Sequence, residues 1–463
     1  MLKIHCLAHR LELSLADAFS DTYFKSEIDE FMMNLFYFFK RSTKRFKQFK
    51  DLSKVLGQDV LKPTRAHGTR WIDHRLKAAN ALDRNYDTLV SLFEDFASEE
   101  RRKKKAGGKD ITPAEKAKMK GYLKLLKSEK FVLCLALYRD ILDDLAHLSK
   151  WLQDDTALMA DVRATVEATL GLLTRKKETS RYVNLAKGEM KSDGFYRGHK
   201  LTKGTGRRDE VDFITTEFMM LRNDTIDKVI SCVSSRLQDF IDNEIIIASS
   251  ILDISNIPGV SEKEALLEYG VDHLTTLTKH FETVLVAQGC VLSEIEREWE
   301  KLKLFVSRNK STKMPSSLEF WKKMFQEKIS EYSNLLHIIH ILLVVPIASA
   351  HVERQFSIIK RILGDFRGSL SLPVIEHLVR ICSSGVSVSK FDPNPAVENW
   401  WLSQKRRPNF RSRKASKELS TAPQIPAGGE KSDLELLFAD TNSDANEDSR
   451  SDSQSETESE SAN

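Results

Sequence analysis

The chain has 463 residues, of which 41% are hydrophobic and 30% are charged, and its formal net charge is only +4. This length allows one large core or two moderate cores. The small net charge gives no overall signal for a nucleic-acid-binding protein, so the position of the charges along the chain matters more than their sum.

Five cysteines lie far apart and form no CxxC pair, which is typical of reduced thiols in a cytosolic or nuclear protein. The longest apolar stretches, residues 31–39 and 335–350, are shorter than the roughly 20 residues that a membrane-spanning helix needs. We therefore expect buried core helices and no membrane partner. Nothing in the sequence indicates a small-molecule substrate or a cofactor.

Apolar residues recur at helical spacing along most of the chain, and strand patterns are scarce. The predicted helical stretches are residues 7–40, 72–96, 114–175, 211–306, 318–343, 347–363 and 373–382. Residues 194–208 contain four glycines and no apolar periodicity, so a loop is predicted there. The sequence thus predicts a mainly α protein.

A basic segment, residues 40–50, follows the first predicted helix and includes Lys44, Arg45 and Lys47 beside two phenylalanines. Clustered lysine and arginine are typical of surfaces that contact nucleic-acid phosphates. A second basic run occupies residues 101–105. A nucleic-acid-binding function is favoured if the two runs form one continuous face, although charge runs are more often solvated surface.

The first candidate site is Cys6 and His9, three residues apart at the start of the first predicted helix. The pair could supply two metal ligands, but zinc sites use four and no second pair lies at finger spacing. The alternative, which we favour, is a thiol and an imidazole packed at a helix start, with no metal bound.

The second candidate site is Arg70 and Trp71. Tryptophan offers a large stacking face and arginine a planar fork for a phosphate, a combination that suits an unpaired or flipped base. The alternative is an indole that anchors the junction between a loop and a helix.

The third candidate site is an apolar stripe with a glutamate at its edge. The stripe contains Ala348, Val352, Phe356, Ile359 and Leu363, at spacings of four, four, three and four. Glu353 could be a metal ligand or half of an ion pair with Arg354. Two-metal nucleic-acid chemistry needs several carboxylates, and one glutamate cannot supply them.

The composition changes after Trp401. Residues 404–414 are basic, and residues 430–463 contain eleven acidic side chains against two basic ones. Such a segment buries too little apolar surface to fold, so residues 402–463 are predicted to be disordered. Within them, residues 434–438 resemble a short binding motif, although the favoured alternative is an isolated apolar stretch in a solvated tail. Acidophilic phosphorylation is predicted at Ser453, Ser455 and Thr457.

Three blocks occur in a fixed order: IHCLAHRLEL at residues 4–13, GTRW at residues 68–71 and PIASAHVERQFSIIKRILGDFRGSL at residues 346–370. Together they resemble the signature blocks of hAT-type transposases, especially their host-domesticated relatives. The segment that closes the predicted helical part, from Phe391-Asp392-Pro393 to Trp400-Trp401, resembles the way those domesticated chains end.

The resemblance implies an RNase-H-like core that is split by a large helical insertion and closed by a C-terminal dimerisation segment. It implies that Glu353 matches the third acidic catalytic residue of the family. Trp71 matches the tryptophan that handles a flipped base, and Cys6 and His9 match a pair that supports the active site.

The chain departs from the family at its N-terminal side. Both catalytic aspartates of the family precede the C-x-x-H pair, whereas Asp17, Asp21 and Asp29 all follow it here. The BED-type zinc finger of the family is also missing from this sequence. We therefore expect a truncated core, no functional catalytic residue and a vestigial Glu353, so the chain is not expected to be an enzyme.

These expectations divide the chain into a remnant of the RNase-H-like core (residues 1–70), a helical insertion (71–330), a dimerisation region (331–401) and the tail (402–463). The favoured function is nuclear self-association, or association with a related hAT-derived protein, through Val352, Phe356, Ile359 and Leu363. The alternatives are a nucleic-acid-binding transcriptional or chromatin regulator, with DNA as the partner, and a fragment of an active transposase. Nuclear import is expected from the basic clusters at residues 405–414 and 101–105.

Overall fold

The structure is a computed structural model that describes residues 5–64, 71–97, 113–202, 216–310, 315–364, 367–383 and 387–403. The chain divides into one unit up to Gly385 and another from Val386 onward. The described part is mainly helical, and the only sheet within it is one antiparallel pair of two-residue strands. The prediction of a mainly α protein is therefore confirmed, whereas the RNase-H-like core stays a prediction.

The first unit is built from helices along the whole of its described length. They are α1 (Leu7–Phe19), α2 (Glu30–Lys40), α3 (Thr43–Val55), α4 (Trp71–Arg84), α5 (Tyr86–Ala97), α6 (Pro113–Leu126), α7 (Glu129–Leu152), α8 (Val162–Arg175), α9 (Arg181–Glu189), α10 (Glu217–Ile241), α11 (Glu244–Ala248), α12 (Lys263–Glu268), α13 (Val271–Ala287), α14 (Leu292–Asn309), α15 (Ser317–Glu327), α16 (Ser333–Val344), α17 (Ala350–Leu363) and α18 (Leu372–Ser383). The strands β1 (Phe195–Tyr196) and β2 (His199–Lys200) lie between α9 and α10. A π-helix spans Phe24–Asp29, and 3₁₀ turns span Met159–Asp161, Ser249–Leu252 and Ile254–Asn256. None of the described helices has the length and apolar content that crossing a lipid bilayer requires.

The helix predicted over residues 7–40 is interrupted. Helix α1 ends at Phe19, where the hydroxyls of Ser20 and Thr22 donate hydrogen bonds back to the carbonyls of Asp17 and Phe19, each at 2.7 Å. Asp21 then adopts a positive φ of 53°. Short polar side chains compete with the helical backbone hydrogen bonds in this way, so the polar run ends the helix despite the apolar periodicity around it.

The prediction of a loop over residues 194–208 is partly wrong, because residues 195–200 form the β1–β2 hairpin. Its two turn residues, Arg197 and Gly198, have φ values of 46° and 82°. A two-residue hairpin turn that matches the strand twist needs positive φ at both positions. Arg197 is held there by hydrogen bonds from its guanidinium to Glu189 Oε2 at 2.6 Å and the Asp83 carbonyl oxygen at 2.8 Å.

The larger core of the first unit is built around α7, which packs against α4, α8 and α9. Helix α7 buries residues on every side, including Cys134, Leu137 and Leu145, none of which is exposed. A helix that is apolar all round has to be enclosed. Helix α1 packs along α10 and contributes Leu7, Leu11 and Leu15 to the same core.

A second core contains α11 to α16 and is centred on Trp299 and Trp321, whose side chains are fully buried. The Trp321 indole donates to the Leu252 carbonyl oxygen at 2.8 Å, and the Trp299 indole donates to that of Tyr269 at 3.1 Å. Gly270 lies against Trp299 with a φ of 73°, and a Cβ there would be 2.8 Å from the ring. Only glycine satisfies both requirements at this position.

Candidate functional site

The Cys6–His9 motif lies at the start of α1, directly beside the segment that leads into α17. The Leu7 amide donates to the Ile347 carbonyl oxygen at 3.0 Å. The Ser349 amide donates to Cys6 Sγ at 3.3 Å. Cys6 is a half-buried free thiol and His9 is exposed. The first and third sequence blocks, more than 300 residues apart, are therefore in contact.

Glu353 lies in the first turn of α17 and is exposed. Its Oε1 accepts a hydrogen bond from Ser349 Oγ at 2.7 Å. The next residue, Arg354, turns away toward the α7–α8 connection, where its guanidinium forms an ion pair with Asp155 at 2.5 Å. Among the described residues, no three His, Cys, Asp or Glu side chains are grouped so that they could hold a metal ion.

The second sequence block, residues 68–71, leads into a helix that also contacts α1. Helix α4 begins at Trp71, and the amide of the next residue, Ile72, donates to Glu12 Oε2 in α1 at 3.1 Å. Glu12 is only 4% exposed. Helix α1 thus contacts both the start of α4 and the start of α17. The Trp71 side chain and all of Arg70 lie outside the described part of the structure.

A buried polar cluster next to α1 was missed by sequence reasoning. Arg75 of α4 forms an ion pair with Asp29 at 2.8 Å, and the Tyr138 hydroxyl donates to the same carboxylate at 2.7 Å. Burial, reinforced by the Asp29 carboxylate, raises the pKa of Tyr138. Arg75 occupies a position of the apolar stripe of α4, three residues after Ile72, which is the signal that could have revealed it. Breaking such a buried pair from one side is strongly destabilising, so this cluster has a structural role.

The apolar stripe of α17 is largely exposed. Val352 is 51% exposed and Phe356 is 58% exposed, whereas Ile359 and Leu363 are half-buried. On α17 itself only Ala350 and Ile362 are buried. The four predicted dimerisation residues thus lie on one helix, and the first two present their side chains to solvent.

Helix α18 packs against α17 and completes a helical hairpin, the α17–α18 hairpin. Ser383 Oγ donates to Gln355 Oε1 at 2.8 Å and joins the end of α18 to α17. Helix α18 has no buried residue, and its Leu372 and Ile381 are 81% and 67% exposed. Apolar side chains this exposed on two adjacent helices mark an interaction surface.

The described part of the second unit is a short 3₁₀ turn, Val388–Lys390, followed by α19 (Asn394–Ser403). It exposes several large apolar side chains, which are Phe391, Val397, Trp400, Trp401 and Leu402. The rings of the two tryptophans lie 6.2 Å apart, centre to centre. The resemblance of these residues to the end of domesticated hAT chains therefore coincides with exposed aromatic surface.

The predicted nucleic-acid-binding residues of the basic segment lie on α3. Lys44 and Lys47 are exposed, and Arg45 is half-buried, where it pairs with Glu115 and stacks 4.6 Å from the centre of the Phe38 ring. Other predicted features lie outside the described residues: the basic runs 101–105 and 405–414, the motif 434–438, and Ser453, Ser455 and Thr457.

Residues 298–381 match the family model of the hAT family C-terminal dimerisation region. The match supports an hAT-family protein. It begins in α14, includes α15 and α16 of the second core, and ends in α18. The hAT dimerisation region therefore contains both a buried part and the exposed α17–α18 hairpin.

Proposed function

We propose that this chain is a transposase-derived protein that acts by self-association through the α17–α18 hairpin. The observation that carries the proposal is the exposure of Val352, Phe356, Leu372 and Ile381 on two packed helices. The match to the hAT dimerisation region covers the hairpin except for the last two residues of α18. A second copy of the chain, or a related hAT-derived protein, is the partner that this match favours.

A symmetric dimer is the simplest arrangement for such a surface. In an isologous interface the same patch of each copy faces the other, so one apolar surface is covered in both copies. The hairpin carries the exposed aromatic ring of Phe356 on α17 and the exposed ion pair of Glu376 and Arg380 on α18. An aromatic anchor surrounded by polar groups is typical of protein interfaces.

The proposal includes the absence of catalysis. Two-metal phosphoryl chemistry places several carboxylates around paired ions. Glu353 accepts a hydrogen bond from Ser349, and the flanking His351 and Arg354 both face Asp155. A nicking assay with Mn²⁺ and terminal-repeat DNA tests this part, and cleavage that disappears in Glu353→Ala would refute it.

Nuclear action is the remaining part of the proposal, and it rests on the basic residues at 101–105 and 405–414. Lysine- and arginine-rich segments of this kind bind import receptors. A tagged chain with both clusters neutralised should lose nuclear accumulation. The same distribution for the altered and unaltered chains would contradict it.

Sedimentation equilibrium at micromolar concentration tests self-association. The triple variant Val352→Ser, Phe356→Ser, Ile381→Ser should be monomeric where the natural sequence is dimeric, and its circular dichroism should be unchanged because all three side chains are exposed. The matched control is Leu172→Ser, Val284→Ser, Val286→Ser, which changes three exposed apolar residues elsewhere. A natural chain that is monomeric throughout, or a control that dissociates equally, would overturn the proposal.

A nucleic-acid-binding regulator is the second candidate function. The observation that favours it is the exposed basic surface of α3, with Lys44 and Lys47 beside the Arg45–Phe38 stack. Fluorescence anisotropy with a labelled duplex tests it: binding should weaken steeply as salt is raised, because bound phosphates release counterions. Absence of binding at low salt would exclude this function.

A further inference from the structure

Helix α3 has one apolar and one basic side. Phe49 and Ser53 are buried, whereas the basic side carries Lys44, Lys47 and Lys54, all exposed. The N-terminus of the helix is fixed by Ser42, whose Oγ accepts a hydrogen bond from the Arg45 amide at 3.3 Å. The lysines are therefore attached to a capped helix that packs on the core.

Helix α6 is a second basic helix that contacts α3, although it lies some 60 residues further along the chain. Its Glu115 pairs with Arg45 of α3, and its Lys118 Nζ donates to Asn34 Oδ1 of α2 at 3.2 Å. Lys120 and Lys124 are exposed and, being four residues apart, share one face of α6. Two basic helices are thus joined at the Arg45–Glu115 pair.

Few acidic side chains offset this charge. On α3 and α6 the only acidic residues are Asp51 and Glu115, and Glu115 is already paired with Arg45. Within the described part of the chain, none of the exposed lysines of the two helices forms an ion pair; these are Lys44, Lys47, Lys50, Lys54, Lys118, Lys120 and Lys124. Two of them have a ring partner, since Lys50 lies over Phe46 and Lys118 over Tyr122, and the other five are open to a ligand. Clustered unpaired charges of one sign create a local potential that attracts polyanions.

The aromatic rings at this surface are already occupied. Lys40 lies over Phe36 at 5.5 Å, Arg41 over Tyr37 at 5.2 Å, and Lys50 over Phe46 at 5.1 Å. A surface that binds unpaired bases needs open ring faces for stacking. Because the chain's own cations cover these rings, the described residues of α2, α3 and α6 named here offer positive charge and no open ring face for stacking.

We propose that α3 and α6 form a single site for the phosphate backbone of double-stranded nucleic acid, which it contacts without reading the base sequence. The inference rests on the second candidate function, and it adds the contribution of α6 and the class of ligand. Backbone contacts by lysine fix a protein on a duplex but carry no sequence information.

The test uses the full chain, a fluorescent duplex of random sequence and anisotropy over a range of salt concentrations. The affinity should fall with salt at a log–log slope of about −4, the value for four to five phosphate contacts. The variant Lys120→Gln, Lys124→Gln should weaken binding about tenfold at low salt and reduce the slope by about 2. Duplexes of unrelated sequence should bind equally.

The α3 variant Lys44→Gln, Lys47→Gln, Lys54→Gln should show a similar loss of affinity. The matched control is Lys279→Gln, Lys301→Gln, Lys322→Gln, which changes three exposed lysines on helices of the second core and should show no loss. Binding that depends on α3 and not on α6 would overturn this inference and leave the second candidate function standing. No binding at all would remove both. Tighter binding of single strands or of polyglutamate than of duplex would overturn the ligand class.

Discussion

Helices α16 and α17 are neighbours in the chain, and both are rich in apolar residues, yet they have opposite environments. Helix α16 buries Leu335, Leu336, Ile338, Ile339 and Leu342 in the second core. Helix α17 leaves Val352 and Phe356 more than half exposed. The hAT dimerisation region spans both helices.

The difference follows from how the apolar residues are distributed around each helix. In α16 they occupy more than one face, so the helix has to be enclosed within the chain. In α17 the residues Val352, Phe356, Ile359 and Leu363 form one stripe, and a single partner surface can cover it. Ala350 and Ile362 lie off this stripe and are buried. Apolar content alone therefore does not distinguish a core helix from an interface helix; its distribution does.

The largest expected effect is a difference in unfolding free energy between a substitution in α16 and one in α17. Ile339→Ala should destabilise the second core by about 2–5 kcal/mol, because it removes a fully buried side chain and leaves a cavity. Phe356→Ala should change the stability of the monomer by less than about 0.5 kcal/mol. Chemical denaturation at a concentration where the chain is monomeric measures both. A Phe356→Ala variant that is destabilised as much as Ile339→Ala would place α17 in the core and break the comparison.

The second prediction tests whether the second core is tightly packed around Trp299. Gly270→Ala should cost about 1–3 kcal/mol, because the new Cβ adopts an unfavourable φ and collides with the Trp299 ring. Gly289→Ala is the matched control, since Gly289 also has a positive φ of 78° but has no atom within 4 Å of a Cβ. The thermal midpoint of Gly270→Ala should be lower than that of Gly289→Ala. Equal losses would show that the Trp299 contact contributes nothing.

The sequence predicted the helical class because apolar residues at spacings of three and four report directly on helix faces. It predicted the α17 stripe for the same reason. It missed the break after Phe19, which depends on side-chain hydrogen bonds from Ser20 and Thr22, and the β1–β2 hairpin, which depends on positive φ at Arg197. Both features depend on local hydrogen bonds of polar side chains. The apolar periodicity does not report on such bonds: it was helical around Phe19 and absent around Arg197.

The contacts between distant blocks could not be derived from periodicity. The hydrogen bond from Ser349 to Cys6 joins residues that are 343 positions apart. The pairing of Arg45 with Glu115 likewise joins the basic segment to a helix 70 residues further along the chain. Spacing along one helix defines which face a residue is on, but not which other helix that face meets.

The smallest expected effect concerns how α17 is attached to the rest of its unit. The Arg354 guanidinium contacts the Gln153 carbonyl oxygen at 3.3 Å and the Asp155 carboxylate at 2.5 Å, and both side chains of this ion pair are more than a third exposed. Exposed pairs contribute little, so Arg354→Ala should cost only about 0.5–1 kcal/mol. If polar contacts attach the N-terminal half of α17, amide hydrogen exchange there should become faster, with no change in α16. Arg380→Ala is the control, because its partner Glu376 lies on the same helix, α18. Unchanged exchange in α17 after Arg354→Ala would mean that the buried Ala350 and the Leu7–Ile347 hydrogen bond hold the helix without it.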